Sequence, residues 1–226
     1  KTLVLDLYCE DHENWRLRNN FDGAPWLWCA INCFGGNMKV GGRLAWMAQG
    51  PDDALTDPNK GRMSGLGALM EGTGVNPVLW EMLLENAWRA KVPNFDDWLD
   101  NYTERRYGAK IPAAEAAWKI LAETVYAEPP PSTANNIKPA LCARPALEQP
   151  KQSAAKPHSN PAALVDAWKL LIEAAPQAKS SDGYRFDLCD IGREVLADLS
   201  TRYNQQIIAA YRARDAAKLH ELSGKM

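Results

Sequence analysis

Glu71 is the residue whose surroundings best suit covalent chemistry. It closes an apolar segment, residues 65–70, and the small residues 72–74 follow it. These small residues leave space above the carboxylate for a ring-shaped substrate. Hydrolysis of a glycosidic bond uses two carboxyl groups that flank the anomeric carbon, about 5 Å apart if one of them attacks it directly. Glu71 could supply one of these groups, and the alternative is a solvent-exposed glutamate in a loop.

Trp28 and Asn37 are the side chains best suited to hold a sugar. An indole ring can cover the apolar face of a pyranose, and an amide can pair with hydroxyl or acetamido groups. Each residue also has a structural alternative. Trp28 lies in an apolar run that suits a barrel core, and Asn37 follows two glycines, a pattern typical of turns. The sequence leaves both interpretations open.

The cysteines and histidines give little indication of a metal site. Cys9, His12, Cys29 and Cys33 could together bind zinc, but they do not form two closely spaced ligand pairs. Buried thiols commonly behave as small hydrophobic groups instead. We therefore predict no metal, and glycoside hydrolysis by two carboxyl groups requires no cofactor.

The candidate residues lie in or just after three short apolar segments that suit strands of a parallel sheet. These segments are residues 2–7, 25–31 and 65–70, and polar residues lie at or after the end of each. Continuous apolar runs are typical of parallel strands that are buried on both faces. In a (β/α)8 barrel the chemistry lies at the carboxyl ends of the strands. We therefore predict that residues 1–76 form strand–helix units of such a barrel.

Almost everything from Pro77 onward has helical periodicity. Helices are predicted at residues 77–89, 95–107, 112–126 and 161–174, and a long one at residues 187–222. A proline-rich connection at about 127–160 interrupts them, because consecutive prolines cannot remain helical. The predicted fold class is therefore α/β plus all-α: the last strands of a (β/α)8 barrel, then an all-helical C-terminal domain at residues 77–226.

The composition excludes two classes of partner. The 226 residues include 26 Lys and Arg and 28 Asp and Glu, a formal net charge of −2. Nothing in this balance attracts nucleic acid or an anionic membrane. No apolar stretch approaches the roughly 20 residues that a bilayer span requires. We predict no nucleic-acid partner and no membrane span.

A set of short motifs carries a resemblance to a known family. In chain order they include residues 5–7 (Leu-Asp-Leu), 25–29 (Pro-Trp-Leu-Trp-Cys), 34–37 (Phe-Gly-Gly-Asn), 70–72 (Met-Glu-Gly), 105–108 (Arg-Arg-Tyr-Gly) and 184–190 (Tyr-Arg-Phe-Asp-Leu-Cys-Asp). Each motif is weak alone, but the ordered set extends over nearly the whole chain. It resembles the α-N-acetylglucosaminidase family of glycoside hydrolases, which includes a lysosomal heparan-degrading enzyme and bacterial relatives. In that family an all-helical domain follows a (β/α)8 barrel.

The resemblance implies that Glu71 is the catalytic nucleophile. The acid/base glutamate of the family lies in an Asn-Glu motif on an earlier strand, so we expect it upstream of this chain. Glu10 resembles a different family position and is not expected to be the acid. Asn32 and Cys33 stand where relatives carry His and Asn, and they are further candidates for substrate binding.

The resemblance also draws attention to the helical half. Near His158, relatives carry an aromatic residue that can reach the substrate from the helical domain. Tyr184, Arg185 and Asp187 could form an ion network at the start of a helix, or they could face the cleft.

The activity implied by the resemblance is exo-hydrolysis, with retention, of terminal α-linked N-acetylglucosamine from a glycan. We expect the chain to be a C-terminal fragment whose partner is the missing N-terminal part, because the first strand needs neighbours to pair its backbone. The alternative is a non-catalytic carbohydrate-binding or scaffolding protein, which the missing acid/base residue would suit. A polysaccharide substrate implies an extracellular or periplasmic location, or a lysosomal one in an animal.

Overall fold

The computed structural model describes residues 2–32, 39–72, 74–127, 140–142, 146–147 and 158–226. Cys33 and Asn37, two predicted substrate-binding residues, lie outside the described residues, and so does most of the predicted connection at 127–160. Within the described ranges, every helix is too short or too polar to pass through a bilayer.

Three parallel strands form the first part of the fold. They are β1 (Val4–Leu7), β2 (Pro25–Ala30) and β3 (Arg62–Ala68), in the spatial order β1-β2-β3. The short helix α1 (Asn14–Leu17) lies between the first two strands, and α2 (Leu44–Thr56) lies between the last two. Parallel strands that neighbour each other in chain order, with helical connections, are the repeating units of a (β/α)8 barrel. This part of the predicted fold class is confirmed.

Helices cover one face of this sheet. On that face Trp26 of β2 stacks on Trp15 of α1, with ring centroids 5.4 Å apart. Trp28 packs against Gly50 of α2, where a Cβ atom would lie only 3.0 Å from Trp28 Cζ2. On the opposite face Leu5 of β1 is 48% exposed. Burial of β1 on both faces, as the apolar run predicted, is therefore not observed, because none of the described residues covers this second face.

The second part of the fold is helical. Its helices are α3 (Val78–Asn86), α4 (Phe95–Tyr107), α5 (Pro112–Glu123), α6 (Pro161–Ala178), α7 (Asp182–Arg212) and α8 (Ala216–Lys225). The limits of α4 are as predicted. The Asn94 side chain accepts a hydrogen bond from Asp97 N at 3.1 Å, and Gly108 ends the helix with φ +80°. Residues 158–226 contain no strand, which confirms the all-helical prediction for this part.

The long helix predicted at residues 187–222 is instead two helices. α7 begins at Asp182, where Ser181 Oγ accepts a hydrogen bond from Tyr184 N. After α7 ends, Arg214 adopts a left-handed backbone with φ +57°. The Asp215 carboxylate then caps α8 by accepting a hydrogen bond from Lys218 N at 2.9 Å. The break went unpredicted because apolar residues continue at helical spacing on both sides of this cap.

Candidate active site

The carboxyl ends of the strands meet at one edge of the sheet. Ala30 of β2 pairs with Ala68 of β3, and just beyond them Leu69 N donates to Ala30 O at 2.9 Å. Asn32 follows β2 at this edge, and Glu71 follows β3. Glu10, in the turn after β1, completes the group. We call Glu10, Asn32 and Glu71 the rim.

Glu71 lies in the loop between β3 and α3, and its side chain is exposed. The neighbouring Gly72 is buried, so the backbone beside the carboxylate is held within the fold. A carboxylate at the carboxyl end of a barrel strand can reach a substrate bound at that end of the barrel. The position of Glu71 suits a nucleophile, and this role stays a prediction.

Glu10 braces the ends of β1 and β2 against each other. Its Oε1 accepts hydrogen bonds from the backbone N–H groups of Ile31 at 2.8 Å and Asn32 at 2.6 Å. Burial raises the pKa of Glu10, although these donors act in the opposite direction. Its Oε2 is buried, and none of the described residues donates a hydrogen bond to it. Two hydrogen bonds to the backbone give Glu10 a structural role in the rim.

Asn32 is held by the backbone of the next loop. It has a left-handed backbone with φ +53° and is 1% exposed. Its Nδ2 donates to Gly41 O at 3.2 Å. A Cβ atom at Gly42, where φ is +137°, would lie 2.5 Å from Asn32 Oδ1, so only glycine fits there. The geometry of Asn32 therefore depends on residues 40–42, and its predicted contact with substrate stays a prediction.

Trp28 lies in the core. It is 0% exposed, and its Nε1 donates to Glu13 Oε1 at 3.4 Å on the helix-covered face of the sheet. This is the barrel-core alternative of the sequence analysis. The stacking of Trp28 on a sugar does not fit this placement, because the ring has no exposed face.

The residues considered for zinc do not form a ligand group in the structure. Cys9 Sγ donates to Asp6 O at 3.0 Å, and burial raises the pKa of its thiol above the ordinary range. Burial also raises the pKa of Cys29 to about 11. His12 is exposed and contacts Asp11 at 2.7 Å. The structure does not bring Cys9, His12 and Cys29 together as ligands, and Cys33 lies outside the described residues.

Helix α7 carries four buried carboxylates, of which the sequence singled out only Asp187. Asp187, Asp190, Glu194 and Asp198 are spaced three or four residues apart, which places them on one face of the helix. None of them is more than 7% exposed. We call them the α7 carboxylate row. The spacing is visible in the sequence, but the apolar period of the same helix suggests a purely hydrophobic contact face.

Asp187, at the beginning of the row, anchors the loop that carries Glu71. Its carboxylate accepts hydrogen bonds from Arg106 Nε and Nη2, at 2.6 and 2.9 Å, and from the Tyr107 hydroxyl at 3.0 Å. Asn76, in the loop between β3 and α3, donates to Asp187 Oδ1 at 3.0 Å. Burial raises the pKa of Asp187, but these four donors and the Arg106 charge favour the carboxylate form. Asp187 therefore belongs to a buried ion network.

Glu194 and Asp198, toward the other end of the row, anchor the loop after β2. Val40 N donates to Glu194 Oε2 at 3.3 Å. His158 Nδ1 lies 3.1 Å from Asp198 Oδ2, and His158 Nε2 lies 2.7 Å from Val40 O. Arg193 contacts Glu194 Oε2 at 3.1 Å. Helix α7 thus contacts both loops that lead from the rim to the next helix.

Comparison with known proteins gives matches along the whole chain. Residues 1–90 match the alpha-N-acetylglucosaminidase (NAGLU) tim-barrel domain, and residues 98–226 match the alpha-N-acetylglucosaminidase (NAGLU) C-terminal domain. Human alpha-N-acetylglucosaminidase is 32% identical over 225 residues, which are 99% of this chain and 30% of the human protein. The chain therefore spans about a third of the length of this curated relative.

Two solved structures of a family 89 glycoside hydrolase from Clostridium perfringens share the fold. The complex with PUGNAc has a TM-score of 0.87 and 28% identity, over 99% of this chain and 25% of that chain. A variant with two glutamate-to-glutamine substitutions, in complex with its substrate GlcNAc-alpha-1,4-galactose, gives the same values. The resemblance found in the sequence is confirmed. This chain belongs to the alpha-N-acetylglucosaminidase family, of which it carries part of the barrel domain and the C-terminal helical domain.

Proposed function

We propose that this chain is part of a retaining exo-glycosidase that removes terminal α-linked N-acetylglucosamine from glycans, with Glu71 as the nucleophile. The observation that carries the proposal is the exposed Glu71 carboxylate at the carboxyl edge of a parallel sheet, in a chain of this family. The name of the human relative and the substrate in the C. perfringens complex support the choice of sugar and linkage.

In the proposed mechanism Glu71 attacks the anomeric carbon while a second carboxyl group protonates the leaving oxygen. The same second group then activates a water molecule, which displaces Glu71 and restores the original configuration. The two glutamate substitutions in the substrate complex of the C. perfringens enzyme support a pair of glutamates. Nothing in the rim offers this second group, since Glu10 is buried and hydrogen-bonded to the backbone.

We propose that an N-terminal part of the enzyme supplies the acid/base glutamate and is the partner of this chain. Leu3, which precedes β1, is 51% exposed. Leu5 and Leu7 of β1 are 48% and 39% exposed on the face of the sheet that the helices leave uncovered. Side chains of this kind are normally covered in a parallel sheet, so their exposure supports a further layer of barrel strands. Action on glycans supports an extracellular or periplasmic location, or a lysosomal one in an animal.

We propose that the division between barrel and helical domain falls after α3, later than the division after residue 76 that the sequence predicts. Strands end at Ala68, and only helices follow in the described residues. The family matches divide the chain after residue 90. Helix α3 packs against α2 and β3, as the helix of a barrel unit does, and this favours the later division.

The test of Glu71 is its replacement by glutamine in the full-length enzyme. Glu71→Gln keeps the size of the side chain and removes the charge that attacks the anomeric carbon. We expect kcat on an aryl α-N-acetylglucosaminide to fall by roughly 10³-fold or more, as for other covalent nucleophiles. Binding of the free sugar, measured by calorimetry, should change little. Glu104→Gln, the same substitution at an exposed position on α4, is the matched control and should keep full activity.

Chemical rescue distinguishes a nucleophile from a structural residue. In Glu71→Gly, azide can attack the anomeric carbon from the vacated face as the aglycone leaves, so the product should be the β-azide. Retention of more than about a tenth of the activity in Glu71→Gln would show that Glu71 is structural, because nucleophile losses are far larger.

A further inference from the structure

His158 bridges the helical half and the loop after β2 with both of its ring nitrogens. The residue is 3% exposed and precedes α6. Nε2 lies 2.7 Å from the Val40 carbonyl oxygen, which can only accept a hydrogen bond. Nδ1 lies 3.1 Å from Asp198 Oδ2. A neutral imidazole has a single N–H group, so the ring satisfies two acceptors only as the imidazolium ion.

The charges around His158 favour this form. Asp198 and Glu194 of α7 face Nδ1, with Glu194 Oε1 at 3.9 Å. Two cations are also nearby: Arg193 pairs with Glu194, and Lys39 acts on His158 through its charge. Burial and Lys39 lower the pKa of His158. The hydrogen bonds with Asp198 and Val40 and the charge of Glu194 outweigh them, so the pKa lies above its ordinary value.

The loop that His158 holds also holds a rim residue. Val40 is fixed through both of its backbone polar groups, because its N–H donates to Glu194 and its carbonyl accepts from His158. The next carbonyl, that of Gly41, accepts the hydrogen bond from Asn32 Nδ2. A continuous set of hydrogen bonds therefore runs from α7 through His158 and residues 40–41 to Asn32.

We infer that His158 is a positioning residue for the rim: as a buried imidazolium it fixes residues 40–42 against α7, and these residues fix Asn32 at the carboxyl end of β2. This inference rests on the proposed function, because the rim is where the substrate sugar is proposed to bind. It assigns the Glu194 and Asp198 carboxylates the task of keeping His158 charged.

A metal ion would use some of the same atoms. His158, Glu194 and Asp198 offer three ligand atoms within 4.8 Å of one another. A metal at Nδ1 would displace the proton shared with Asp198, and the Arg193 cation beside Glu194 would oppose it. The second N–H group, which binds Val40 O, needs no metal, so the geometry favours the proton.

The test is His158→Gln in the full-length enzyme, with His220→Gln on the exposed face of α8 as the matched control. Glutamine keeps a donor but has no charge and cannot bridge both acceptors. We expect KM for an aryl α-N-acetylglucosaminide to rise roughly tenfold or more, since misplacement of rim groups by about 1 Å has effects of this size. A merely structural role would lower the amount of active enzyme, and thus apparent kcat, without raising KM. The control should match the wild type.

A second measurement reads the charge of His158 without activity. Nitrogen NMR of ¹⁵N-histidine-labelled enzyme should show both ring nitrogens of His158 protonated at neutral pH, before and after chelator treatment. A neutral ring, an unchanged KM in His158→Gln, or zinc that binds at His158 and raises activity would overturn the inference. If Glu71→Gln abolishes turnover while His158→Gln keeps the wild-type KM, only this inference fails. If Glu71→Gln is active, the proposed function itself fails.

Discussion

The two ends of the α7 carboxylate row anchor different loops with different cations. At the first end Arg106 binds Asp187 through two hydrogen bonds, and Asn76 attaches the loop that carries Glu71. At the other end His158 binds Asp198 and the carbonyl of the loop after β2. A guanidinium keeps its charge at every physiological pH, whereas an imidazolium can lose it near neutrality. The attachment of the Glu71 loop therefore does not change with pH, whereas the attachment of the loop after β2 requires His158 to be protonated.

The largest loss of stability is expected at the Arg106–Asp187 end of the α7 carboxylate row. Arg106→Met removes the cation and leaves Asp187 buried without its main partner. Loss of one member of a buried ion pair typically costs about 3–5 kcal/mol in free energy of unfolding. Thermal unfolding of the full-length enzyme should show this as a marked fall in Tm.

The neighbouring arginine provides the control for Arg106→Met. Arg105 contacts Glu85 at 2.8 Å, but its side chain is 51% exposed. Exposed pairs of this kind contribute about 0–1 kcal/mol, so Arg105→Met should barely change Tm. Equal falls in Tm for Arg106→Met and Arg105→Met would mean that the buried Arg106–Asp187 pair stabilises the fold no more than an exposed ion pair does.

An intermediate effect is expected at the His158 end. Asp198→Asn keeps the shape of the side chain but removes the charge that accepts hydrogen bonds from His158 N and the ring. Charged hydrogen bonds contribute about 1.5–3 kcal/mol each, and Glu194 still faces the ring, so the loss in unfolding free energy should be smaller than for Arg106→Met. Asp166→Asn, at an exposed position on α6, should lie within about 0.5 kcal/mol of wild type. A loss in Asp198→Asn as large as that in Arg106→Met would erase the distinction between the two ends.

The smallest effect is a dependence on pH. The folded state raises the pKa of His158 above 6.5. The stability contributed by its charge is therefore fully present below pH 6.5 and is lost as pH rises through the folded pKa. The gap in Tm between wild type and His158→Gln should narrow over that range. The gap between wild type and Arg106→Met should stay constant from pH 6 to 9, and a parallel narrowing of both gaps would contradict the comparison.

The sequence predicted the elements of the fold better than their surroundings. Apolar runs identified all three strands, and the caps Asn94 and Gly108 fixed the limits of α4, because these signals are local in the chain. The exposed face of β1 could not be predicted from its leucines, since burial depends on what packs against that face, and none of the described residues does so. The break before α8 was missed because a single capping residue, Asp215, outweighs a continuing apolar period.

The candidate site was predictable only in part. The family resemblance suggested Glu71 as the nucleophile, which stays a prediction. It could not decide between the cleft and the core for Trp28, because both are apolar surroundings. The α7 carboxylate row as a whole was missed because its partners are distant in sequence: Arg106 lies 81 positions from Asp187, and Val40 lies 154 positions from Glu194. Charges that meet only in the folded chain leave no short-range pattern.

Helix α7 also sets a length. The α-helix rises about 1.5 Å per residue, so the seven-residue step from Asp187 to Glu194 spans about 10 Å. Asn76 is bound at the first of these points and Val40 at the second. The rigid helix α7 thus fixes the distance between the two loops. Substitutions within either loop can alter which side chains the loop presents at the carboxyl edge of the sheet, while α7 keeps the two loops at the same spacing.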